Sequence, residues 1–170
     1  MKILATFDGT PFSEATLPIL QRMAALPDAE LVLLSVAHVP GGRRTSAPRR
    51  TVIAAGEILG STPVVIEREQ APAAETKDQA IERKLAEVQD YLSGIAARLP
   101  AGHKVHIDAH CDEDVTGTII ECARAEGADV IVMATHSRTP VGQLLFGSTT
   151  EAVIRSGVAP VLVVHPTGKA

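Results

Sequence analysis

Short apolar runs alternate with longer amphipathic segments along most of the chain. The runs lie at residues 3–7, 31–36, 105–109, 130–134 and 161–164. Most of them are apolar almost without interruption, which is typical of parallel strands that are covered on both faces. The longer segments between them carry the helical signals. This alternation predicts an α/β protein with a five-stranded sheet and right-handed crossovers.

Two helices are predicted in the first half and the middle of the chain. The first covers residues 13–26 and begins at Ser13, a residue type that is common at helix N-caps. Pro18 must remove a backbone donor near its first turn. The second lies within residues 76–99, where apolar residues recur at spacings of three and four.

Two further helices have clear end signals. Asp114 is predicted to open the third helix and Gly127 to close it. Ser148 is followed three residues later by Glu151, which fits a capping box with Ser148 at the N-cap. Gly157 then predicts the end of this fourth helix before the last strand.

Residues 40–72 do not fit this alternation. The segment begins with Pro40-Gly41-Gly42, and a short helix is conceivable at residues 53–59. Its four arginines are Arg43, Arg44, Arg49 and Arg50. Loops of this length in compact domains are usually functional or disordered. We therefore expect residues 1–170 to form a single domain with a long loop excursion at about 40–72.

Composition narrows the function classes. A chain of 170 residues with 45% apolar side chains can bury a proper core. An aromatic content of 2% and a net charge of −4 argue against nucleic-acid binding. No apolar run is long enough for a membrane helix, and the first residues predict a strand rather than a signal peptide. With two cysteines at no metal-type spacing, we expect a reduced, cytoplasmic protein.

The candidate ligand site lies where the strands end. In an open parallel sheet, ligands bind outside the carboxyl ends of the strands, where the strand order reverses. Asp8 follows the first strand, and Gly147 precedes a helix whose first amides, on Ser148, Thr149 and Thr150, favour an anion. Each feature has a purely structural alternative, an Asx-type turn at Asp8 and an ordinary helix cap at Ser148.

Residues 142–149 almost match a P-loop, but the match fails on its chemistry. A serine, Ser148, stands where the phosphate-binding lysine belongs, and the interior of the segment is apolar. No carboxylate pair for magnesium is recognisable either. We therefore do not expect an enzyme, beyond slow ATP hydrolysis at most.

Three segments resemble the universal stress protein family. They are residues 3–10 with 13–15, residues 127–133, and Gly147-Ser148 through to residues 160–164. The resemblance covers nearly the whole chain except the excursion. It implies an adenine nucleotide α-hydrolase-like fold, with a five-stranded parallel sheet in the order 3-2-1-4-5 and helices on both faces. It also implies a homodimer and, as in many members, a site for ATP or AMP.

The nucleotide-binding members of that family carry a glycine pattern that this chain meets only in part. The pattern is Gly, two residues, Gly, nine residues, Gly, then Ser or Thr, and its positions here are Ala134, Ser137, Gly147 and Ser148. Ala134 adds only a methyl group. Ser137 places a side chain where the backbone would meet ribose or phosphate.

The resemblance implies a set of site residues around these positions. Asp8 and Val36 match positions that contact adenosine in the binding members. We expect ATP or AMP as the ligand, with Mg²⁺ accompanying ATP. The candidate nucleotide-binding residues are Thr6, Asp8, Val36, Ala134, Ser137, Gly147, Ser148, Thr149 and Thr150.

A metal site is a second hypothesis, on the third predicted strand. His106, Asp108, His110 and Asp112 alternate, so they share one face if the strand extends that far. Imidazole and carboxylate groups at this spacing could hold a zinc-like ion. In the family's sheet order this strand is an edge, where charged side chains are expected for solvation alone. We therefore predict that this strand binds no metal. The candidate ligands under the alternative are His106, Asp108 and His110.

Two functions remain open at this stage. The first is an adenine-nucleotide-binding module in stress response or signalling. The second is a dimeric stress-response interaction protein that binds no nucleotide, consistent with the two replaced glycines. In either case the apolar edge at residues 161–164 predicts a homodimer in which this strand pairs with its own copy.

Overall fold

A computed structural model of the chain describes residues 1–40, 76–135 and 146–165. These residues form a parallel sheet of five strands in the order β3-β2-β1-β4-β5. The strands are β1 (Lys2–Thr6), β2 (Glu30–Ala37), β3 (Lys104–Cys111), β4 (Val130–Ala134) and β5 (Val161–Val164). The predicted sheet and its strand order are confirmed. The greater part of the excursion, with its four arginines and the helix considered at 53–59, lies outside the described residues.

Helices connect the strands in the predicted order. They are α1 (Leu17–Ala24), α2 (Lys77–Ala96), α3 (Val115–Glu126) and α4 (Ser148–Ser156), with a short 3-10 helix (Ser13–Thr16) ahead of α1. The first helix therefore ends earlier than the predicted residue 26, and its first turn is 3-10. Among the described residues, no helix combines the length and the apolar character that a membrane span needs.

The sheet is buried on both faces. Ile3, Ala5 and Leu33 belong to a core cluster that includes residues of α1 and α2. Leu4 and Leu34 point the other way, into a cluster that includes residues of α3 and α4. Successive side chains of β1 and β2 therefore enter opposite cores. This arrangement explains why the strands have continuous apolar sequences rather than an alternating pattern.

The start of α4 differs from the capping box that the sequence suggested. Gly147, not Ser148, is the N-cap residue, and no side chain accepts a capping hydrogen bond. The Glu151 amide donates to the Gly147 carbonyl at 2.9 Å, so the helical bonding begins one residue earlier than the capping box requires. The Gly147 amide itself donates to Thr135 Oγ1 at 3.4 Å. The predicted capping box at Ser148 is therefore wrong.

Ser13 is also not a helix N-cap. It is the first residue of the 3-10 helix, whose N-cap residue is Phe12. Its hydroxyl donates to the carbonyl of Thr10 at 2.8 Å and so braces the turn that precedes the helix. A serine that bonds to a nearby carbonyl in this way competes with capping.

The other end signals behave as predicted. Asp114 is the N-cap residue of α3, and its Oδ1 accepts the Gly117 amide at 2.9 Å. Gly127 and Gly157 end α3 and α4 in the left-handed conformation, with φ of 60° and 62°. A capping box stands at Thr76, which opens α2 with reciprocal bonds to Gln79.

Two glycines on helices provide a matched test of backbone conformation. Gly94 is exposed within α2, and a Cβ there would meet nothing within 4 Å, whereas Gly127 needs a φ of 60°. Gly94→Ala should raise the free energy of unfolding by about 0.5–1 kcal/mol, because alanine loses less backbone entropy in a helix. Gly127→Ala should lower it by about 1–2 kcal/mol. Urea unfolding of both variants measures the two changes in the free energy of unfolding. Changes in the same direction would contradict this account of the two glycines.

Candidate functional site

A cavity of about 240 Å³ opens at the carboxyl ends of β1, β2 and β4. The first turn of α3 and the beginning of α4 form its other walls. Its lining includes Thr6, Phe7, Asp8, Ser13, Leu34, Val36, Val115, Ile119, Met133, Ala134, Gly147, Ser148, Thr149 and Thr150. The cavity lies beside the point where the strand order reverses, since the chain leaves β1 toward β2 on one side and meets β4 on the other.

One wall of the cavity is apolar. Leu34 and Val36 alternate along β2 and so face the same side, while Val115 and Ile119 are one helical turn apart on α3. Met133 of β4 adds a polarizable thioether to the same wall. A flat apolar group of a ligand, such as the face of a heterocyclic base, would be desolvated against this wall.

Another part of the lining is polar and consists largely of a helix N-terminus. Ser148, Thr149 and Thr150 are the first three residues of α4, and all three line the cavity. Gly147 brings no side-chain acceptor, so the N-cap residue itself leaves the first amides of the helix open. Neither lysine nor arginine occurs in the described lining. The described part of this wall therefore owes its positive potential to the amides and the helix dipole.

Asp8 lies at the rim of the cavity and is held by a local turn. Its Oδ1 accepts the amide of Thr10 at 2.9 Å and the hydroxyl of Thr10 at 2.6 Å. Gly9 between them has a φ of 79°, which favours glycine. The Asx-type turn considered as an alternative is thus present. It also fixes the position of the carboxylate at the cavity, so the two interpretations of Asp8 are compatible.

Gly147 provides space rather than an unusual conformation. Its φ is −59°, which any residue can adopt, and a Cβ built on it would meet nothing within 4 Å. The glycine therefore leaves open the space beside the first amides of α4. A larger side chain at this position would fit the backbone and occupy part of the cavity.

A second cavity of about 230 Å³ lies on the α2 side of the same strand ends. Asp8 and Val36 line both cavities, while Lys84, Glu87 and Tyr91 of α2 line only the second. Hydrogen bonds from Lys84 and from the neighbouring arginine lower the pKa of Glu87. This opening is therefore bordered by an ion pair on the helix surface, and it offers no helix N-terminus to an anion.

The structure gathers the sequence-predicted site residues with one exception. Thr6, Asp8, Val36, Ala134 and the residues from Gly147 to Thr150 line one cavity. Ser137 lies outside the described residues. Sequence reasoning missed Phe7, Ser13, Leu34, Val115, Ile119 and Met133. Leu34 could have been found from the period of two on β2, which places it on the same face as Val36.

The candidate metal ligands on β3 are only partly brought together. The strand reaches Cys111, so the alternating residues up to His110 do share a face. His106 Nε2 contacts Glu30 Oε1 at 2.8 Å and is engaged there. Asp112 accepts the amide of Asp114 at 2.8 Å, at the start of α3. Only Asp108 and His110 of the predicted set lie close enough together to share an ion.

A third potential ligand reaches these two from α3. The sulfur of Cys122 lies 3.5 Å from His110 Nε2, and the same nitrogen is 2.7 Å from Asp108 Oδ1. Burial, followed by the nearby Asp108 carboxylate, raises the pKa of the Cys122 thiol to about 11. Sequence spacing gave no sign of this cysteine, because the register between α3 and β3 is a tertiary property.

Comparison with known proteins agrees with this architecture. Residues 1–165 match the profile of the family described as the universal stress protein family. Universal stress protein MJ0577 of Methanocaldococcus jannaschii is 46% identical over 46 residues, which are 27% of this chain and 28% of that protein. The sequence match thus spans well under two thirds of that relative's length.

Solved structures resemble the whole chain. A structure of MJ0577 superposes with a TM-score of 0.68 at 25% identity, covering 99% of this chain and 97% of that one. A universal stress protein in complex with cAMP gives a TM-score of 0.57 at 16% identity, with coverage of 97% and 96%. A family member from Burkholderia pseudomallei gives 0.55 at 22% identity, with coverage of 96% and 94%.

The family match extends over nearly the full length of the chain, and the strand order is the one that the sequence resemblance implied. The chain belongs to the universal stress protein family.

Proposed function

We propose that the chain binds an adenine nucleotide in the cavity between β1, β2, β4 and the start of α4, as a module of stress response or signalling. The observation that carries the proposal is the convergence of an apolar wall and a helix N-terminus on one cavity. Leu34, Val36 and Ile119 suit a base, and the first amides of α4 suit a phosphate. Asp8 stands at the rim between the two, where a carboxylate can accept hydrogen bonds from ribose hydroxyls.

Family membership supports the same proposal. One universal stress protein of the same fold was solved in complex with cAMP. Nine residues were candidates on sequence grounds, and all of them except Ser137, which is not described, line the cavity. We propose ATP or AMP as the ligand, with Mg²⁺ accompanying ATP.

Binding rather than catalysis is the function that the lining favours. In the described lining, Asp8 is the carboxylate, and no lysine or arginine stands against the helix N-terminus. Phosphoryl transfer usually requires a cation clamp on the phosphates and acidic ligands for magnesium. We therefore propose that any ATP hydrolysis is slow and incidental.

The second candidate function is a dimeric interaction protein that binds no nucleotide. The two replaced glycines of the family's pattern, at Ala134 and Ser137, favour it over the first function. The dimer itself rests on the edge position of β5, a wholly apolar strand on which Leu162 is 38% exposed. An unprotected apolar edge invites pairing with another strand. We propose a homodimer through Val161–Val164, which is compatible with either function.

Nucleotide binding can be measured as stabilisation of the fold. At about one hundred times the dissociation constant, ATP or AMP should stabilise the protein by roughly 2.7 kcal/mol, or about 5–10 °C in melting temperature. Gly147→Val should remove this shift, because the side chain occupies the space beside the α4 amides while the backbone keeps its conformation. Gly94→Ala, which lies away from the cavity, is the control and should retain the shift.

The protein must first be shown to be free of ligand after purification, for example by mass spectrometry of the denatured extract. A ligand-free protein with no thermal shift in millimolar ATP, ADP, AMP or cAMP would contradict the proposal and favour the nucleotide-free dimer.

Whether Ser137→Gly raises or lowers the affinity for nucleotide reveals the role of Ser137. If its side chain crowds the nucleotide, Ser137→Gly should tighten binding, since the family's pattern has glycine at that position. If its hydroxyl donates to a phosphate, the same change should weaken binding by about 2- to 13-fold, the equivalent of a net hydrogen bond of roughly 0.5–1.5 kcal/mol. Isothermal titration calorimetry of the wild type and the variant with AMP measures this change in affinity. An affinity that does not change would place Ser137 outside the site.

The dimer can be tested at its proposed edge. Sedimentation of the wild-type chain at micromolar concentration should give twice the 17.8 kDa of one chain. Leu162→Glu should give the monomer, because a charge on the apolar edge opposes strand pairing. Leu26→Glu is the matched control, since Leu26 is 46% exposed outside the sheet. A wild-type protein that sediments as a monomer would contradict the proposal.

A further inference from the structure

We propose that Asp108, His110 and Cys122 form a binding site for Zn²⁺, or a divalent cation of similar ligand preference, between β3 and α3. The site goes beyond nucleotide binding and does not depend on it. Its ligands are a carboxylate, an imidazole and a thiol, and their ligand atoms all lie within 4.8 Å of one another. Zinc is the ion that this set of oxygen, nitrogen and sulfur donors suits best.

The sulfur–nitrogen distance matches that of a tetrahedral zinc site, whereas the nitrogen–oxygen distance is shorter. Zinc–sulfur and zinc–nitrogen bonds of about 2.3 and 2.05 Å at a tetrahedral angle place the two ligand atoms about 3.6 Å apart. The observed distance from Cys122 Sγ to His110 Nε2 is 3.5 Å. The corresponding separation of nitrogen and carboxylate oxygen is about 3.3 Å, against the observed 2.7 Å between His110 Nε2 and Asp108 Oδ1. A small rotation of the Asp108 side chain would therefore complete the three-ligand set.

The backbones that carry these ligands are well anchored. Asp108 and His110 are in register with Leu34 and Val36 of the neighbouring strand, so both side chains leave the sheet on the α3 side. Cys122 is buried in the same core cluster. The ligands thus come from two elements that both pack on β2, so their backbones are already ordered before an ion binds.

Solvent provides both the entry path and the fourth ligand. The side chains of Asp108 and His110 are 34% and 39% exposed, whereas Cys122 is buried. An ion would therefore enter from the open side of edge strand β3 and keep a water molecule there. Three protein ligands and one water are the usual coordination of an open zinc site.

The electrostatics of the cluster are those of a cation site. A buried thiol beside a carboxylate resists ionisation, because a thiolate would face a like charge in a poorly solvated place. A divalent cation between the two groups reverses that interaction. On binding, the thiol proton of Cys122 leaves to solvent, and His110 carries its own proton on Nδ1 so that Nε2 can coordinate. No electron transfer is involved.

The chain supplies a matched control for each of two ligands. Cys111 is the other cysteine, and its sulfur lies 3.6 Å from the carbonyl oxygen of His38, away from the cluster. His106 is on the same strand and contacts Glu30 instead. Cys111→Ser and His106→Ala therefore remove the same chemical groups without removing a proposed ligand.

Zinc affinity of the untagged, nucleotide-free chain tests the proposal. Competition with a chromogenic zinc chelator should show one ion per chain in the wild type. Cys122→Ser and His110→Ala should each weaken binding by at least about 100-fold, since even residues that only orient zinc ligands contribute 10–100-fold. Cys111→Ser and His106→Ala should bind as the wild type does. Circular dichroism and unfolding of each apo variant separate a lost ligand from a lost fold.

Cobalt substitution identifies the donor atoms directly. Co²⁺ bound to the wild type should show a thiolate-to-cobalt charge-transfer band in the near ultraviolet, absent in Cys122→Ser and retained in Cys111→Ser. Absence of binding at micromolar zinc would overturn the proposal, as would unchanged affinity in folded Cys122→Ser. Because no nucleotide is present, neither result bears on the proposed nucleotide site.

Discussion

Burial of both faces of a parallel sheet is the constraint on which the rest of this structure depends. Successive residues of the central strands enter different cores, one shared with α1 and α2 and the other with α3 and α4. A slip of one residue would exchange the two sets of side chains, so the register of β1 against β2 and β4 is strongly specified. A fixed register brings the carboxyl ends of these strands together at one edge. The cavity therefore follows from the packing of the core, without a dedicated scaffold.

The same packing determines where the N-terminal end of α4 lies. Val153 of α4 is fully buried in the cluster on the α3 side, and Thr150 is 4% exposed. The Gly147 amide also contacts Thr135, directly after β4. These contacts hold the first turn of α4 against the strand ends. Core packing thus positions the first amides of α4 at the cavity. The sequence alone predicts only that a helix begins there.

The fold could be predicted further from the sequence than the site could. Apolar runs and residues such as Asp114 and Gly127 depend on local physics, and they predicted the strands and both ends of α3. The strand order was implied by the family resemblance, since pairing between strands is not a local property. Ser148 failed as a cap because Gly147, one residue earlier, already begins the helical bonding. Cys122 could not be found, because its approach to His110 depends on how α3 packs on β3. Local sequence patterns predict secondary structure. The ligands of one site come from several elements, and the positions of those elements relative to one another depend on tertiary packing.

Among the described residues, the positive potential in the cavity originates from a helix N-terminus rather than from side-chain cations. Described lining residues include no lysine or arginine, so attraction for an anion would come from backbone amides that do not titrate. Its strength then depends on how well the start of α4 keeps its position, which Val153 and the Thr135 contact secure. Asp8, by contrast, is a charged group held by a turn at the rim. Within the described lining, a helix N-terminus and an oriented carboxylate therefore border the same cavity, and the first of them is held in place by core packing.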